Sequence, residues 1–214
     1  MGEATVIVTG GSRGIGRAVV EALVAEGRSV AFTWRSEEEA ARAVEAALGP
    51  VEGLVNNAGL RREALLALTS DDDWQAVLDT NLSGLFRCCR AVLRGMVVRR
   101  RGAIVNVSSL SALRGLPGQG AYAAAKAGVL GLTRSLAREV GRRNIRVNAV
   151  VPGFVSTEMT ADLPPETVTF LRAAECLPGG VGAAAVADAV CFLLSERAAA
   201  VTGQALVVDA GASV

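Results

Sequence analysis

Histidine is absent from this 214-residue chain, and several other residue types are scarce. Lys126 is the only lysine, because every other basic residue is an arginine, and Tyr122 is the only tyrosine. Without histidine there can be no Ser-His-Asp triad and no histidine-bearing metal centre. No apolar run approaches the ~20 residues that span a bilayer, and the net charge of +1 argues against a general nucleic-acid binder.

Cysteine is also rare, and its pattern is not that of a zinc site. The four cysteines form no Cys-x-x-Cys pair, so we predict no bound metal and expect buried, reduced thiols in a cytoplasmic protein, or in an organelle matrix if the source is eukaryotic. They are Cys88, Cys89, Cys176 and Cys191. The chain starts without a basic region, which predicts no signal peptide. Its length fits one domain over residues 1–214.

The sole tyrosine and the sole lysine stand four residues apart, in Tyr122-Ala123-Ala124-Ala125-Lys126. On a helix, this spacing places both side chains on one face, one turn apart. A phenol ionises near pH ~10, and a neighbouring ammonium lowers that pKa. The pair is therefore predicted to donate and accept a proton near neutral pH, in a chain that has no histidine for this task.

The N-terminal residues have the order strand, glycine-rich turn, helix and strand. Residues 4–9 form an apolar β-branched run, residues 17–26 an amphipathic helix that Gly27 ends, and residues 29–34 a second strand. The turn between them consists of Gly10, Gly11, Ser12, Arg13, Gly14, Ile15 and Gly16. This order predicts a dinucleotide site in which a pyrophosphate rests on the helix N-terminus.

The end of the second strand indicates which dinucleotide is bound. An NAD site usually has an acid there for the ribose 2′-hydroxyl, but this chain has Arg35 and no acid before Glu37. Arg35, together with Arg13, offers guanidinium groups to a 2′-phosphate, which predicts NADPH. The alternative is that both arginines are solvated loop residues.

Strands continue to alternate with helices along the rest of the chain. Further strands are predicted at residues 52–56, 103–107, 145–150 and 205–208, and further helices at 37–48, 71–98, 122–142 and 183–195. The fold class is therefore α/β, a doubly wound (Rossmann) parallel sheet with helices on both faces. The turns that directly follow the strands should meet at one crevice, which is where such sheets bind ligands.

Asn81 lies within the predicted helix 71–98, among apolar residues. A buried asparagine needs hydrogen-bond partners. One interpretation is a structural hydrogen bond, and the other is a link in a proton path.

In order and spacing, these motifs resemble the short-chain dehydrogenase/reductase superfamily, and within it the 3-oxoacyl-[acyl-carrier-protein] reductases. The resemblance covers nearly the whole chain. Besides the glycine turn and the Tyr122–Lys126 stretch, it rests on Asn56-Asn57-Ala58-Gly59, Asn81, Asn106-Val107-Ser108-Ser109 and Pro152-Gly153-Phe154-Val155.

The resemblance implies a role for each matched residue. Tyr122 is expected to protonate the substrate carbonyl oxygen, Ser109 to polarise it, Lys126 to bind the nicotinamide ribose and lower the pKa of Tyr122, and Asn81 to hold a relay water. Ser109 is preferred to Ser108 because it lies thirteen residues before Tyr122, as in the family. Further nucleotide contacts are expected from Asn57, Ala58, Gly59, Pro152, Gly153, Val155 and Thr157, and residues 154–182 resemble the substrate lid.

The sequence departs from the family between the second strand and Asn56. The family has helix, strand and helix there, whereas this chain has one helix, so roughly 25 residues are missing compared with the doubly wound order. We expect six strands in the order 2-1-4-5-6-7 by family numbering, with helix 37–48 on the face opposite helix 17–26. The second strand then becomes an exposed edge, and the adenine pocket is open on one side.

The resemblance implies reduction of a 3-oxoacyl thioester on acyl carrier protein, with Arg100 and Arg143 as docking residues. The alternative for these arginines is a solvated basic surface. Alternative functions are reduction of a polyketide, sugar or steroid-like ketone, and nucleotide binding without turnover. A homotetramer or dimer is expected, with Leu78, Leu82, Leu85, Leu130, Leu132 and Leu136 supplying either helix contacts between subunits or core.

Overall fold

The computed structural model describes residues 5–33 and 50–214, and in this part of the chain it contains one six-stranded sheet in which every pairing is parallel. The strands are β1 (Thr5–Thr9), β2 (Ser29–Thr33), β3 (Val51–Asn56), β4 (Gly102–Val107), β5 (Ile145–Pro152) and β6 (Ala205–Val208). Their order, β2-β1-β3-β4-β5-β6, is the predicted one and confirms the α/β prediction. Arg35 and the predicted helix 37–48 lie outside the described residues.

Seven α-helices accompany the strands in the described ranges. They are α1 (Gly14–Ala25), α2 (Asp71–Leu78), α3 (Gly84–Arg99), α4 (Ser111–Arg114), α5 (Gly120–Val140), α6 (Pro165–Ala173) and α7 (Ala183–Leu194). The sequence analysis did not predict α4 or α6, because a four-residue helix and a helix within a Pro/Gly-rich segment have little apolar periodicity. No helix in residues 5–33 or 50–214 is both long and apolar enough to cross a bilayer.

Alternating strand residues divide the hydrophobic core between the two faces of the sheet. On one face, Val6, Val55 and Val105 pack with α1 and α7. On the other face, Ile7, Leu54 and Ile104 pack with α3 and α5. Strands buried on both faces read as unbroken apolar runs, which is why their positions were predictable from the sequence.

Two helix ends follow the sequence signals for capping. Gly27 has φ of 76°, and the amide of Arg28 donates to the Leu23 carbonyl at 3.0 Å, which closes α1 as a glycine C′ residue does. Ser70 caps α2, since its Oγ accepts from the Asp73 amide at 3.1 Å. The helix end at Gly27 is as predicted.

The predicted continuous helix 71–98 is interrupted. A π-helical turn, Asp79–Ser83, joins α2 to α3 and contains Asn81. The Asn81 Nδ2 donates to the Val77 carbonyl at 2.8 Å, so the side chain takes the place of a helical backbone donor. Such π turns are frequent at functional sites.

The cysteine prediction holds for three of the four residues. Cys88, Cys89 and Cys191 are buried free thiols, whereas Cys176 is exposed. It follows α6, and its Sγ donates to the Gly211 carbonyl at 3.4 Å. Burial raises the pKa of the Cys89 thiol to about 12, which leaves it an unreactive core residue.

Candidate active site

The carboxyl ends of the strands surround a cavity of about 1240 Å³. The predicted site residues that line it are Gly10, Ser12, Arg13, Gly14, Ile15, Asn57, Ala58, Gly59, Ser109, Tyr122, Lys126, Pro152, Gly153, Val155 and Thr157. Gly11, Gly16 and Asn81 are buried behind this lining. The turns that the sequence analysis placed after the strands are thus brought to one crevice.

The glycine turn owes its shape to the absence of side chains. Gly10 has φ of 66°, and a Cβ on Gly16 would lie 2.1 Å from the Gly10 carbonyl oxygen. The N-terminus of α1 has no side-chain cap in the described structure and no acid in its first turn. Its amide groups therefore suit an anionic pyrophosphate, so the residues present fit a nicotinamide dinucleotide.

Hydrogen bonds join the glycine turn to the loop after β3. The hydroxyl of Thr9 accepts from the amides of Asn57 at 3.0 Å and Ala58 at 3.1 Å. The Asn57 Nδ2 donates to the carbonyls of Thr9 and Gly10 at 3.1 and 3.0 Å. The two nucleotide-facing loops are therefore held in a fixed relation before any ligand binds.

The two adjacent serines after β4 lie in different surroundings. Ser109 lines the cavity together with Tyr122, and its hydroxyl lowers the pKa of the phenol. Ser108 is 3% exposed, and its Oγ donates to the backbone carbonyl of Lys126 at 2.9 Å. Ser109 is thus the serine beside the phenol, while Ser108 fixes helix α5 against the sheet.

Lys126 is buried directly behind Tyr122. Its Nζ lies 5.6 Å from the centre of the Tyr122 ring and donates to the Val107 carbonyl at 2.8 Å. Burial lowers the pKa of Lys126 from its ordinary value to about 8. The ammonium is therefore close to losing its proton near neutral pH.

The pKa of Tyr122 contradicts the prediction. Burial, the largest influence, raises the pKa of the phenol above its ordinary value. The influences that lower it are the hydroxyl of Ser109 and the charge of Arg61, and not Lys126 as expected. The sequence shows which residues are neighbours along a helix, but it does not show how deeply the fold buries them.

Asn81 connects the π turn to the loop after β3. Its Nδ2 donates to the Leu60 carbonyl at 2.8 Å, and its Oδ1 accepts from the Leu60 amide at 3.2 Å. A Cβ on Gly59 would lie 3.0 Å from Asn81 Oδ1 and 3.8 Å from Lys126 Nζ. Asn81 therefore lies close to Lys126. Its side-chain amide makes hydrogen bonds of the structural kind, which was the first of the two interpretations of this residue.

Several polar residues of the site lie outside every motif named in the sequence analysis, among them Arg61, Glu63, Ser111 and Gln119. Arg61 and Glu63 follow β3, and Ser111 and Gln119 lie between β4 and the helix that carries Tyr122. Hydrogen bonds of 2.7 Å connect three of these side chains: Ser111 donates to Gln119, and Gln119 donates to Glu63. No local pattern marks them, although their positions in turns after strands were a usable signal.

The sheet, the glycine turn and the Ser109, Tyr122 and Lys126 cluster define a nicotinamide-dependent oxidoreductase of the short-chain type. A family model described as short chain dehydrogenase matches residues 4–47, and one described as enoyl-(acyl carrier protein) reductase matches residues 38–213. The chain belongs to the short-chain dehydrogenase/reductase family.

Individual relatives resemble nearly the whole chain. It is 41% identical to the 3-oxoacyl-[acyl-carrier-protein] reductase FabG of Salmonella typhimurium, 40% to that of Escherichia coli and 42% to that of Vibrio harveyi. Each alignment covers 96% of this chain and 95% of the relative. The first spans 234 positions, more than the 214 residues here, so the relative contains residues that this chain lacks.

Proposed function

We propose that this protein reduces 3-oxoacyl thioesters linked to acyl carrier protein to the 3-hydroxyacyl form, with NADPH, in fatty acid biosynthesis. The observation that carries the proposal is that Ser109 and Tyr122 lie together in the cavity wall beside the buried Lys126. Two hydroxyl groups that converge at one point suit a single carbonyl oxygen. The names of the relatives support the thioester as the substrate.

The chemistry divides between the cofactor and the protein. NADPH supplies the hydride. The protein's own residues act on the oxygen: Ser109 donates a hydrogen bond to the carbonyl, and Tyr122 gives it a proton as negative charge develops. Lys126 keeps a positive charge behind the phenol and holds the ribose, and Asn81 orders a water through which the proton is replaced.

The choice of NADPH rests on Arg13 and Arg35. Arg13 is exposed at the N-cap of α1 and lines the cavity, where its guanidinium can reach a 2′-phosphate. Arg35 lies outside the described residues, so its part in the site is proposed from the sequence alone. We therefore expect NADPH to be used in preference to NADH.

The names of the relatives and of the family model that matches residues 38–213 refer to different substrates, an oxoacyl and an enoyl group. Reduction of an enoyl group places the new proton on carbon, whereas reduction of a ketone places it on oxygen. The Ser109–Tyr122 pair offers two hydroxyls to one oxygen, which favours the ketone.

Steady-state rates of NADPH oxidation test the proposal directly. We expect acetoacetyl thioesters to be reduced with a kcat/KM at least tenfold above that of an enoyl thioester or a simple ketone, and NADH to serve less well. Equal rates on simple ketones would favour a polyketide, sugar or steroid-like substrate. NADPH binding without turnover of any of these ketones would favour a nucleotide-binding module instead.

Arg100 lies next to the turn that contains Arg142 and Arg143. Arg100 ends α3 with φ of 54°, and its Nη2 donates to the Arg142 carbonyl at 2.9 Å. Arg143 is exposed in the turn next to Arg142. We propose that Arg100 and Arg143 form one basic surface for the acidic carrier protein.

Removal of the two charges should show whether this surface binds the carrier protein and not the acyl group. In Arg100→Ala/Arg143→Ala, we expect KM for the carrier-protein thioester to rise about tenfold, while KM for a small acetoacetyl thioester stays unchanged. Arg134→Ala, at an exposed arginine of α5, is the control. Equal effects on both substrates would contradict docking at this surface.

We propose a homotetramer or dimer and a cytoplasmic location, as in the sequence analysis. Leu85, Leu130 and Leu136 are 5–6% exposed and belong to the core. Leu82, in the π turn that precedes α3, and Leu132, on α5, instead line a shallow groove next to Phe86 of α3, which is 45% exposed. This apolar surface supports association through these two helices.

A further inference from the structure

Arg61, in the loop after β3, places a positive charge inside the reaction cavity. Its side chain is 11% exposed, and it lines the same cavity as Tyr122. Its Nη2 lies 2.8 Å from Oδ1 of Asp162, and its Nε lies 3.5 Å from Oε1 of Glu63. A charge held away from water acts more strongly on its neighbours than a solvated one.

Asp162 links this cation to the segment 154–182, which we call the lid segment. Residues of this segment, among them Phe154, Leu163 and Phe170, form an apolar side of the cavity. Asp162 itself is 80% exposed, so its ion pair with Arg61 adds little to folding stability. The pair matters because it joins a surface residue of the lid segment to a cation beside the reacting group.

A second connection runs from Arg61 toward the phenol through hydrogen bonds. Glu63, the other partner of Arg61, accepts from Gln119 at 2.7 Å, and Gln119 accepts from Ser111 at 2.7 Å. The Oγ of Ser111 in turn accepts from Ser109 at 3.3 Å. Ser109 lines the cavity together with Tyr122, so these polar contacts lead from the lid segment to the residue beside the phenol.

The charges that face Tyr122 come from different elements. Lys126 approaches from α5 itself, and Arg61 approaches from the loop after β3. The other charged residues that line the cavity are Arg13, Glu63, Arg114 and Glu158. Of all these charges, that of Arg61 opposes the effect of burial on the pKa of Tyr122.

We propose that Arg61 is a positioning residue that holds a positive charge opposite Tyr122 and binds the lid segment through Asp162, so that the lid segment and the proton donor are coupled. Its kinetic consequence rests on the proposed function, in which Tyr122 is that donor. The effect of the Arg61 charge on the phenol of Tyr122 does not rest on the proposed function, because it needs neither substrate nor cofactor.

Titration of the only tyrosine tests the electrostatic part without substrate or cofactor. Because the chain has one tyrosine, tyrosinate absorbance in the ultraviolet reports Tyr122 alone. In Arg61→Gln we expect the apparent pKa of Tyr122 to rise by about one unit. In Asp162→Asn we expect a smaller fall, because Arg61 loses a negative partner. Arg61→Lys should stay near the wild type.

Arg62→Gln is the matched control, since Arg62 is adjacent in sequence but 59% exposed and pairs with Asp73. It should leave the titration unchanged. Circular dichroism at each pH establishes that the protein is folded, and Asp162→Asn and Arg61→Lys carry the test if Arg61→Gln does not fold. Equal pKa values in all variants, or shifts of the same sign in Arg61→Gln and Asp162→Asn, would overturn the proposal.

Kinetics with an acetoacetyl thioester tests the lid contact. We expect KM to rise about fivefold in both Arg61→Gln and Asp162→Asn. We also expect the pH above which turnover falls to be higher in Arg61→Gln and lower in Asp162→Asn than in the wild type. A KM unchanged in both variants would overturn the lid contact. If no ketone is reduced but the pKa of Tyr122 changes in the variants as expected, the proposed function is wrong. The electrostatic effect of Arg61 on Tyr122 is then still supported.

Discussion

Tyr122→Phe is expected to lose about 10³-fold or more in kcat for thioester reduction while binding NADPH as the wild type does. A general acid contributes typically 10²–10⁴-fold, and this chain has no histidine that could replace it. The substitution removes one oxygen and keeps the ring, which packs beside Ala121, Ala125 and Val77. The fold and the nucleotide-facing loops should therefore be preserved.

Two measurements separate this loss from a structural defect. NADPH titration by fluorescence should give a Kd within about twofold of the wild type, and thermal unfolding should show a similar Tm. Burial raises the pKa of Tyr122, so the wild type keeps its proton and its reductive activity well above neutral pH. A Phe variant that retains a tenth of the wild-type kcat would refute Tyr122 as the proton donor.

Lys126→Met is expected to abolish turnover and, at the same time, to raise folding stability at neutral pH by about 3 kcal/mol. Lys126 is 3% exposed, and burial lowers its pKa to about 8. One pKa unit corresponds to about 1.4 kcal/mol. Below pH ~8 the folded protein must hold a buried ammonium, a cost that methionine, with a similar volume, does not have.

The pH dependence of this gain has a definite sign. The folded-state pKa of Lys126 lies below its unfolded value, so between pH ~8 and ~10 the unfolded chain binds more protons and wild-type stability rises with pH. Methionine does not titrate. The stability difference between variant and wild type should therefore be largest below pH ~8 and decrease toward pH ~10, and groups that titrate in both proteins cancel.

Denaturant unfolding at a series of pH values, without cofactor, measures this difference. Arg134→Met is the matched control, because Arg134 lies exposed on the same helix and should change stability by less than about 0.5 kcal/mol. A Lys126→Met variant that is less stable than the wild type at pH 7, or equally stabilised at every pH, would contradict the assigned burial cost. The expected gain in stability would also show that the wild-type protein gives up stability at Lys126 in exchange for activity.

Local sequence patterns were enough to predict the strands, the helix ends and the turns that form the site. The strands are apolar runs buried on both faces, so their hydrophobicity alone locates β1 and β3 to β6 within about two residues. Gly27 and Ser70 end or begin helices through bonds to residues only a few positions away, which is why their caps were predictable. The site motifs follow strands directly, and parallel strands bring their carboxyl ends together.

Three features had no local signal. The π turn at Asn81 depends on a carbonyl of the loop after β3, which lies far away in sequence. The pKa of Tyr122 depends on burial, which outweighs every neighbouring charge. Arg61 joins Tyr122 to Asp162, a residue 101 positions further along the chain.

By itself, the sequence determined the α/β class and the positions of the strands and of the glycine turn, because buried strands and glycine turns are local properties. The six-strand order and the roles of the residues at the crevice followed from the resemblance to the short-chain dehydrogenase/reductase family. The sequence also indicated that Tyr122 and Lys126 share a helix face. Only the tertiary structure decided how these two groups titrate and which cation faces the phenol. Those properties depend on desolvation and on contacts between distant segments, and neither is encoded in the spacing of residues along one helix.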